Sequence, residues 1–151
     1  MKNSDESDND FKLRKNEILR GYNSFQKVLQ NSKTVSTQYL KAFVNKQSTD
    51  TKTTIFSKSP LFTENVKVGF IIAKKKFKKA VIRNRIRRLL KEAYRLSKNQ
   101  TGLFNFDLNI IFTLSENGYV LFKNNSEIKL DFIKKEMILL TSIIKLKYPS
   151  L

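Results

Sequence analysis

The chain has 151 residues, 40% of them apolar and twelve of them Phe, which suffices for one domain with a hydrophobic core. Thirty Lys and Arg against 13 Asp and Glu give a formal net charge of +17. A charge so one-sided predicts an anionic partner, and nucleic acid is favoured over an acidic membrane surface. Because the sequence has no Cys and no His, disulfide frameworks, thiolate nucleophiles, histidine bases and Cys or His metal sites are excluded.

The first 11 residues are polar and hold four of the 13 acidic side chains. This composition predicts a disordered, solubilising tail, and an acidic flap that competes with the anionic ligand is the alternative. The segment lacks the basic and then apolar order of a secretory signal, and no apolar run reaches the roughly 20 residues that span a bilayer. We therefore expect a single domain over residues 12–148 of a cytoplasmic protein.

The first two elements are predicted by apolar spacing. Residues 24–31 form a short helix with three apolar side chains on one face, and Asn23 or Ser24 can cap its first turn. Residues 39–44 alternate as a strand with one apolar face and one face that mixes aromatic rings with Lys. The two faces are Leu40, Ala42, Val44 and Tyr39, Lys41, Phe43, respectively.

A polar connection separates this strand from two further strands. Residues 45–60 are rich in Ser, Thr and Lys and indicate a flexible connection, in which residues 53–56 can add a short strand. Residues 66–73 are β-branched and apolar on both faces, which is typical of a buried strand. Residues 106–113 alternate apolar with polar side chains and predict another strand.

The remaining elements are helical. A long basic helix is predicted over residues 80–97, with Thr101 and Gly102 contributing to its termination. Asn117 and Gly118 indicate a turn. Residues 130–147 form the last helix, because apolar residues recur there at i, i+4, i+7 and i+11. This order of elements predicts an α/β sandwich with helices packed on a small sheet.

The segment from Lys67 to Lys98 carries thirteen Lys or Arg and a single acid, Glu92. When residues 80–97 are placed on a helix that turns about 100° per residue, the apolar side chains and most of the basic side chains lie on different faces of the helix. The stripe that would meet the sheet is Ile82, Ile86, Leu89, Leu90, Ala93 and Leu96. The basic face is Asn84, Arg87, Arg88, Lys91 and Arg95, with Arg83 and Arg85 at the edges of the stripe.

Charge repulsion on this helix indicates a ligand. Like-charge pairs at i,i+4 each destabilise a helix by roughly 0.2–0.5 kcal/mol. Lys78 and Lys79 precede the helix N-terminus, where the helix dipole disfavours cations. A phosphate backbone would relieve both effects and accept hydrogen bonds from the free N–H groups of the first turn. A solvated basic face without a ligand is the alternative, whereas a membrane-surface helix would need its apolar stripe free for lipid.

Residues 74–95 read KKKFKKAVIRNRIRRLLKEAYR. They resemble the Arg-Asn-Arg motif of the bacterial ribonuclease P protein component. In that family a strand ends in a Lys pair and is followed by a basic loop, Ala-Val, Arg-Asn-Arg, a basic pair and a tail of the form (Arg/Lys)-Glu-Ala-(Phe/Tyr)-Arg. The resemblance extends outward, with less similarity, over residues 12–147.

The resemblance implies an α+β fold with a mixed sheet of about four strands and three helices. It implies an accessory subunit of an endoribonuclease holoenzyme, in which a catalytic RNA removes the 5′ leader of precursor tRNA. The implied cofactor is Mg²⁺, held mainly by that RNA, and the protein contributes no catalytic residue. The implied partners are the catalytic RNA and precursor tRNA, with the protein a monomer in the holoenzyme and no membrane involved.

By position in the motif, the resemblance also implies two groups of binding residues. The residues expected to contact RNA are Lys74, Lys75, Lys78, Lys79, Arg83, Asn84, Arg85, Arg87, Arg88, Lys91 and Arg95. The residues expected to line a cleft for the single-stranded leader, between the first helix and the sheet, are Phe25, Leu29, Tyr39, Lys41 and Phe43. Rings interleaved with Lys suit stacking on unpaired bases, while an ordinary second core face is the alternative.

Charge alone also fits a different function. A general structured-RNA-binding or ribosome-associated protein without a role in tRNA processing is the alternative, and an anionic-membrane binder is a weaker one.

Overall fold

The computed structural model describes residues 13, 15–47, 66–101, 107–124 and 127–148. After a 3-10 turn at Lys15–Glu17, four helices and four strands follow. The helices are α1 (Tyr22–Gln30), α2 (Ala80–Thr101), α3 (Glu116–Asn124) and α4 (Leu130–Lys147). The strands are β1 (Lys33–Ser36), β2 (Leu40–Lys46), β3 (Val66–Phe70) and β4 (Leu108–Leu114).

The strands form one mixed sheet in the order β1-β2-β4-β3. β1 and β2 are an antiparallel hairpin, β2 pairs antiparallel with β4, and β4 pairs parallel with β3. Because parallel neighbours need a crossover connection, α2 links β3 to β4. The predicted fold class and the four-strand mixed sheet are confirmed, although the described residues contain four α-helices where three were expected.

The main core lies between one face of the sheet and helices α2 and α4. Leu40, Ala42 and Val44 on β2 face this core, as predicted. The helices contribute the buried side chains Ile86, Leu90, Ala93, Ile133, Met137, Leu140 and Ile144. α2 packs more extensively on α4 than on the sheet. Ile82, predicted in the buried stripe, is instead exposed, because the first turn of α2 lies beyond the packed part of the helix that begins at Ile86.

A smaller core lies on the other face of the sheet, under α1. Leu19, Val28 and Ile111 are buried together there, and partly buried apolar side chains surround them. A further contact ties the N-terminal segment to α2, because Lys98 Nζ lies 3.0 Å from Glu17 Oε1 and both side chains are mostly buried. Helix α1 covers only part of this second face of the sheet, so grooves remain beside it.

Most predicted elements are confirmed with shifted ends. The first helix begins at Tyr22, and Gly21 at φ 84° precedes it without a side-chain cap, so the expected cap at Asn23 or Ser24 is wrong. The strand predicted over residues 66–73 ends at Phe70, although the Ile71 N–H still donates to the Phe112 carbonyl at 3.0 Å. The last helix has the predicted bounds, and α2 continues through Thr101.

Two elements were missed, and one prediction is wrong. Asn117 and Gly118 lie in the first turn of α3 rather than in a turn, because Ser115 Oγ caps the helix by accepting the Gly118 N–H at 3.1 Å. The absence of a side chain at Gly118 lets α3 approach the backbone of Tyr39 closely, since a Cβ on Gly118 would lie 2.1 Å from the Tyr39 carbonyl oxygen. β1 was missed because in its four residues only Val35 is buried, which leaves no alternating pattern.

Several predictions fall outside the described residues: the acidic tail, the strand at residues 53–56, most of the connection at residues 45–60, and the role of Gly102. Within the described ranges, no helix combines the length and apolarity needed to cross a membrane.

Candidate nucleic-acid interface

The solvent-facing side of α2 is a cationic surface. Arg85, Arg87, Arg88 and Lys91 are exposed, while Ile86 and the other buried side chains of the helix face the core. The predicted separation of a basic face from an apolar face on this helix is therefore confirmed. Arg87, Arg88 and Lys91 share one side of the helix and can meet phosphates at the same time, and guanidinium groups can do so with two parallel hydrogen bonds.

Some predicted RNA-contacting side chains already have protein partners. Arg83 is half-buried, and its Nη1 donates at 2.8 Å to the carbonyl oxygens of both Phe77 and Lys78. Arg87 donates to Asn84 Oδ1. Arg95 Nε donates to Glu92 Oε2 at 3.0 Å, and this hydrogen bond lowers the pKa of the Glu92 carboxyl against the opposing effect of burial. Arg83 therefore shapes the backbone before α2, which the sequence pattern did not indicate.

The chain between β3 and α2 forms a basic loop, residues 73–79. Its turn is closed by the Ala73 carbonyl, which accepts the Lys76 N–H at 3.1 Å and the Phe77 N–H at 3.3 Å. Phe77 is buried and anchors the loop in the main core. The remaining predicted RNA contacts of this loop are exposed and point to solvent: Lys74, Lys75, Lys78 and Lys79.

A groove of about 350 Å³ joins the basic face of α2 to the ring of Phe25 on α1. We call it the α1–α2 groove. Its lining includes Phe25 of α1 and four residues of α2, namely Asn84, Arg87, Arg88 and Lys91. Gly69 and Phe70 of β3 also line it. Two groups of residues that the sequence predicted separately, the basic motif and one leader-cleft residue, are thus in one site.

A second depression of about 510 Å³ lies on the same side of the sheet as α1. We call it the sheet cleft. Its lining includes Lys41 and Phe43, both predicted for the leader, together with Ile71 and Thr113. Lys41 Nζ lies 5.2 Å from the centroid of the Phe43 ring, within the range of a cation–π contact. A ring and a cation are therefore presented together on an open surface.

The two other predicted leader residues are placed differently. Leu29 packs against the small core under α1, as Phe25 and Phe43 also do, but it lines neither the α1–α2 groove nor the sheet cleft. Tyr39 was expected to share a face with Lys41 and Phe43, and this is wrong. β2 begins only at Leu40, and the Tyr39 ring packs on Phe132 of α4 with centroids 5.2 Å apart, which places it on the side of the main core.

Tertiary folding also creates cationic surfaces that the sequence did not reveal. A groove of about 560 Å³ on the other side of α2 is lined by Arg85, Arg88 and Arg95 with Ile128 and Leu130, which precede or begin α4. A polar groove of about 500 Å³ collects Lys27, Lys46 and Lys67 from three different elements. No local pattern could predict either groove, because the residues lie far apart in sequence.

The described residues offer no group of three or more His, Cys, Asp or Glu that could hold a metal ion. Mg²⁺ prefers several carboxylate, phosphate or water oxygens around it. With fewer than three such side chains together in the described ranges, a Mg²⁺ ion there would need water or phosphate oxygens to complete its coordination.

The family model for ribonuclease P matches residues 13–132. The chain belongs to this family. A Chlorobium phaeobacteroides protein named ribonuclease P protein component is 38% identical over 106 residues, which is 70% of this chain and 60% of that relative. A Clostridioides difficile protein of the same name is 31% identical over 97 residues, or 64% of this chain and 72% of the relative. The chain thus spans less than two thirds of the Chlorobium protein.

Solved structures of ribonuclease P proteins share the fold. The protein from Thermotoga maritima superposes with a TM-score of 0.62 at 16% identity, covering 84% of this chain and 96% of the other. The protein from Staphylococcus aureus gives a TM-score of 0.57 at 15% identity, covering 85% and 95%. At these identities the likeness concerns the fold, and the roles of individual residues must be argued from this chain.

Proposed function

We propose that this protein is the accessory subunit of a ribonuclease P holoenzyme. It binds the catalytic RNA and the single-stranded 5′ leader of precursor tRNA, and it assists the Mg²⁺-dependent removal of that leader. The observation that supports this best is the α1–α2 groove, which Arg87, Arg88 and Lys91 of the family motif line together with Phe25. Cations bind the phosphate backbone and an aromatic ring stacks on unpaired bases, which is the combination that single-stranded RNA requires.

The catalytic RNA binds along the exposed side of α2 and the basic loop. The contacting side chains are Lys74, Lys75, Lys78, Lys79, Asn84, Arg85, Arg87, Arg88, Lys91 and Arg95. Arg83 contributes mainly through the two carbonyls that it holds. Each phosphate that a cation neutralises releases a counterion, so this surface supplies affinity that falls with salt.

The leader lies over Phe25 in the α1–α2 groove and over Lys41 and Phe43 in the sheet cleft. Both surfaces are open and both pair an aromatic ring with cations. Leu29 packs against the same small core as Phe25, and Tyr39 has no part in this site. Because stacking accepts every base, the site binds leaders of different sequence.

The protein places charge and rings, while the RNA carries out the hydrolysis with the Mg²⁺ that it holds. Binding the leader and the catalytic RNA on adjacent surfaces makes their encounter intramolecular, which raises the effective concentration of the precursor at the RNA. Positive charge near the precursor also lowers the Mg²⁺ concentration needed to overcome phosphate repulsion. The protein therefore acts most strongly when Mg²⁺ is scarce.

The test is release of the leader from precursor tRNA by the cognate catalytic RNA at low Mg²⁺, with and without the protein. Stimulation that declines as the leader is shortened supports both the subunit role and the leader site. Stimulation that is independent of leader length rejects the leader site and keeps the subunit role. No stimulation, together with salt-sensitive binding to unrelated RNAs, rejects the proposal in favour of a general RNA-binding protein, which the net charge of +17 would also allow.

A further inference from the structure

A buried phenol holds the start of the basic loop. Tyr119 of α3 is 7% exposed. Its hydroxyl oxygen accepts the backbone N–H of Ala73 at 3.0 Å and lies 3.1 Å from Thr113 Oγ1 on β4. Ala73 is the residue whose carbonyl closes the turn at Lys74–Lys76. The phenol therefore links the last residue before the lysines to the sheet.

The same tyrosine also holds the far side of the turn. Its ring lies 6.0 Å from the Phe77 ring, centroid to centroid. Lys76 Nζ lies 5.7 Å from the Tyr119 ring centroid and 2.9 Å from Glu116 Oε2, one helical turn away on α3. Lys76 is thus directed onto α3, while its neighbours Lys74 and Lys75 remain exposed.

We propose that Tyr119 is a positioning residue for RNA binding: through Ala73, Phe77 and Lys76 it fixes the basic loop in the conformation that presents Lys74 and Lys75. This inference rests on the proposed function and adds α3 to it, whose residues Glu116 and Tyr119 also line the sheet cleft. A loop that is ordered before binding does not lose that conformational freedom on binding, so its affinity is higher for the same number of contacts.

Preorganisation and direct contact give different signatures. A side chain that neutralises a phosphate contributes to the dependence of affinity on salt, and its removal lowers the slope of log K against log salt by roughly 0.7–0.9. A residue that only orders the loop changes affinity while all the phosphate contacts still form. We therefore expect Tyr119→Phe to weaken binding without changing the slope, and Lys75→Ala to change both.

The experiment compares Tyr119→Phe with Tyr148→Phe in the full chain. Tyr148 is a suitable control because it is also buried and its hydroxyl has no hydrogen-bond partner among the described residues. Binding to the catalytic RNA is titrated at several salt concentrations. We expect Tyr119→Phe to lower affinity about fivefold, the effect of one neutral hydrogen bond, with an unchanged slope, and Tyr148→Phe to leave affinity unchanged.

Amide hydrogen exchange of the free protein provides a second measurement that needs no RNA. In Tyr119→Phe the Ala73 N–H loses its partner and should exchange about tenfold faster, while amides in the centre of β4 stay protected. Faster exchange together with weaker binding at constant slope supports the inference. Faster exchange with affinity equal to that of the Tyr148→Phe protein overturns it, as does a reduced slope.

A failure of the proposed function would be distinguishable. If the unsubstituted protein binds the catalytic RNA no better than an unrelated RNA of equal length, the subunit role is rejected, and the inference falls with it whatever the exchange data show. Thr113→Val is a further variant that keeps the phenol and removes only its second partner. It should reduce affinity less than Tyr119→Phe, and an equal or larger loss would move the positioning role to Thr113.

Discussion

The ring of Phe25 lies directly over Gly69 of β3. A Cβ built on Gly69 would be 2.7 Å from both Cε1 and Cζ of that ring, a distance that real contacts do not adopt. The absence of a side chain at one position of the sheet therefore lets an aromatic ring from α1 rest on the backbone. Because both residues line the α1–α2 groove, the depth of this groove depends on the pair.

Gly69→Ala should displace Phe25 and weaken the leader site. The added methyl group forces the ring outward, at a cost to stability of about 1–3 kcal/mol that is typical of overpacking. Stimulation of leader removal should fall several-fold on precursors with a long leader and remain nearly unchanged on a precursor with a trimmed leader. Cleavage rates on the two precursors measure this difference.

The control for this variant is Thr141→Val, which removes a buried hydroxyl that donates to the Met137 carbonyl at 2.8 Å in α4. It reduces stability, by about 1 kcal/mol, without touching the groove. The quantity to compare is the ratio of stimulation on the long-leader precursor to stimulation on the trimmed precursor. If Thr141→Val lowers this ratio as much as Gly69→Ala does, the loss of stability explains the effect and the assignment of Phe25 to the leader is wrong.

Arg88 should contribute to the salt dependence of RNA binding. It is exposed and lines the grooves on both sides of α2. Arg88→Ala should weaken binding to the catalytic RNA and lower the slope of log K against log salt by roughly 0.7–0.9. Filter binding or fluorescence titration over a range of salt concentrations gives both values.

Lys145→Ala is the matched control for this prediction. It removes one exposed positive charge from the last turn of α4, about 22 Å along the helix from Leu130 at 1.5 Å per residue, and Leu130 borders the groove that Arg88 lines. Lys145→Ala should change only the overall electrostatic field of the protein. The slope of log K against log salt should equal that of the unsubstituted protein within error. Equal slopes for the two variants would mean that net charge, and not the face of α2, binds the RNA.

Much of the fold followed from the sequence because apolar periodicity is strong where elements are buried on one side. α4 has the predicted bounds, since its buried residues from Ile133 to Ile144 recur at helical spacing. α3 could not be found in this way. It is short, its first turn holds Asn117 and Gly118, and its start depends on the Ser115 side chain rather than on an apolar pattern.

The site was predictable only in part, for a similar reason. The motif on α2 is local, so its charges and their common face could be read directly. The position of Tyr39 depended on where β2 begins, and the strand starts one residue too late for Tyr39 to share a face with Lys41 and Phe43. Arg83 and Tyr119 form hydrogen bonds with backbone groups, and a sequence pattern carries no information about those partners.

Glu92 should oppose RNA binding through Arg95. Glu92 Oε2 accepts a hydrogen bond from Arg95 Nε at 3.0 Å. Glu92 is also the single acid in the segment from Lys67 to Lys98. Glu92→Gln should therefore raise affinity for the catalytic RNA about two- to fivefold at low salt, with less gain at high salt, because a negative charge is removed from a surface that would bind phosphates. Unchanged affinity at low salt would mean that the RNA does not approach the charge of Glu92.

The same variant should change the acid limb of the stability curve. The hydrogen bond from Arg95 lowers the pKa of Glu92 below its ordinary value of 4.5. A carboxyl group with a lowered pKa stabilises the fold above its unfolded pKa, and that contribution is lost as pH falls through the folded value. Glu92→Gln should thus be less stable than the parent at pH 7 and no less stable well below pH 4. Thermal unfolding at both pH values tests this.

Tyr94 should make the fold sensitive to alkali. It is 5% exposed and packs against the rings of Phe70 and Phe112. Its burial, with a smaller contribution from the Glu17 carboxylate, raises its pKa above the ordinary value of 10.0. Below pH 10 the phenol is neutral in both the folded and the unfolded chain, so it does not make the free energy of unfolding depend on pH. Above pH 10 the unfolded chain releases the proton and the folded chain does not, so stability falls by about 1.4 kcal/mol per pH unit.

Tyr94→Phe removes this loss while it keeps the ring in the core. The urea midpoint of the parent should fall more steeply between pH 9 and pH 11 than that of the variant. Other buried phenols, such as Tyr148, act equally on both proteins and cancel in the comparison. Parallel curves for the two proteins would mean that the Tyr94 hydroxyl reaches water in the folded state, contrary to its packing against Phe70 and Phe112.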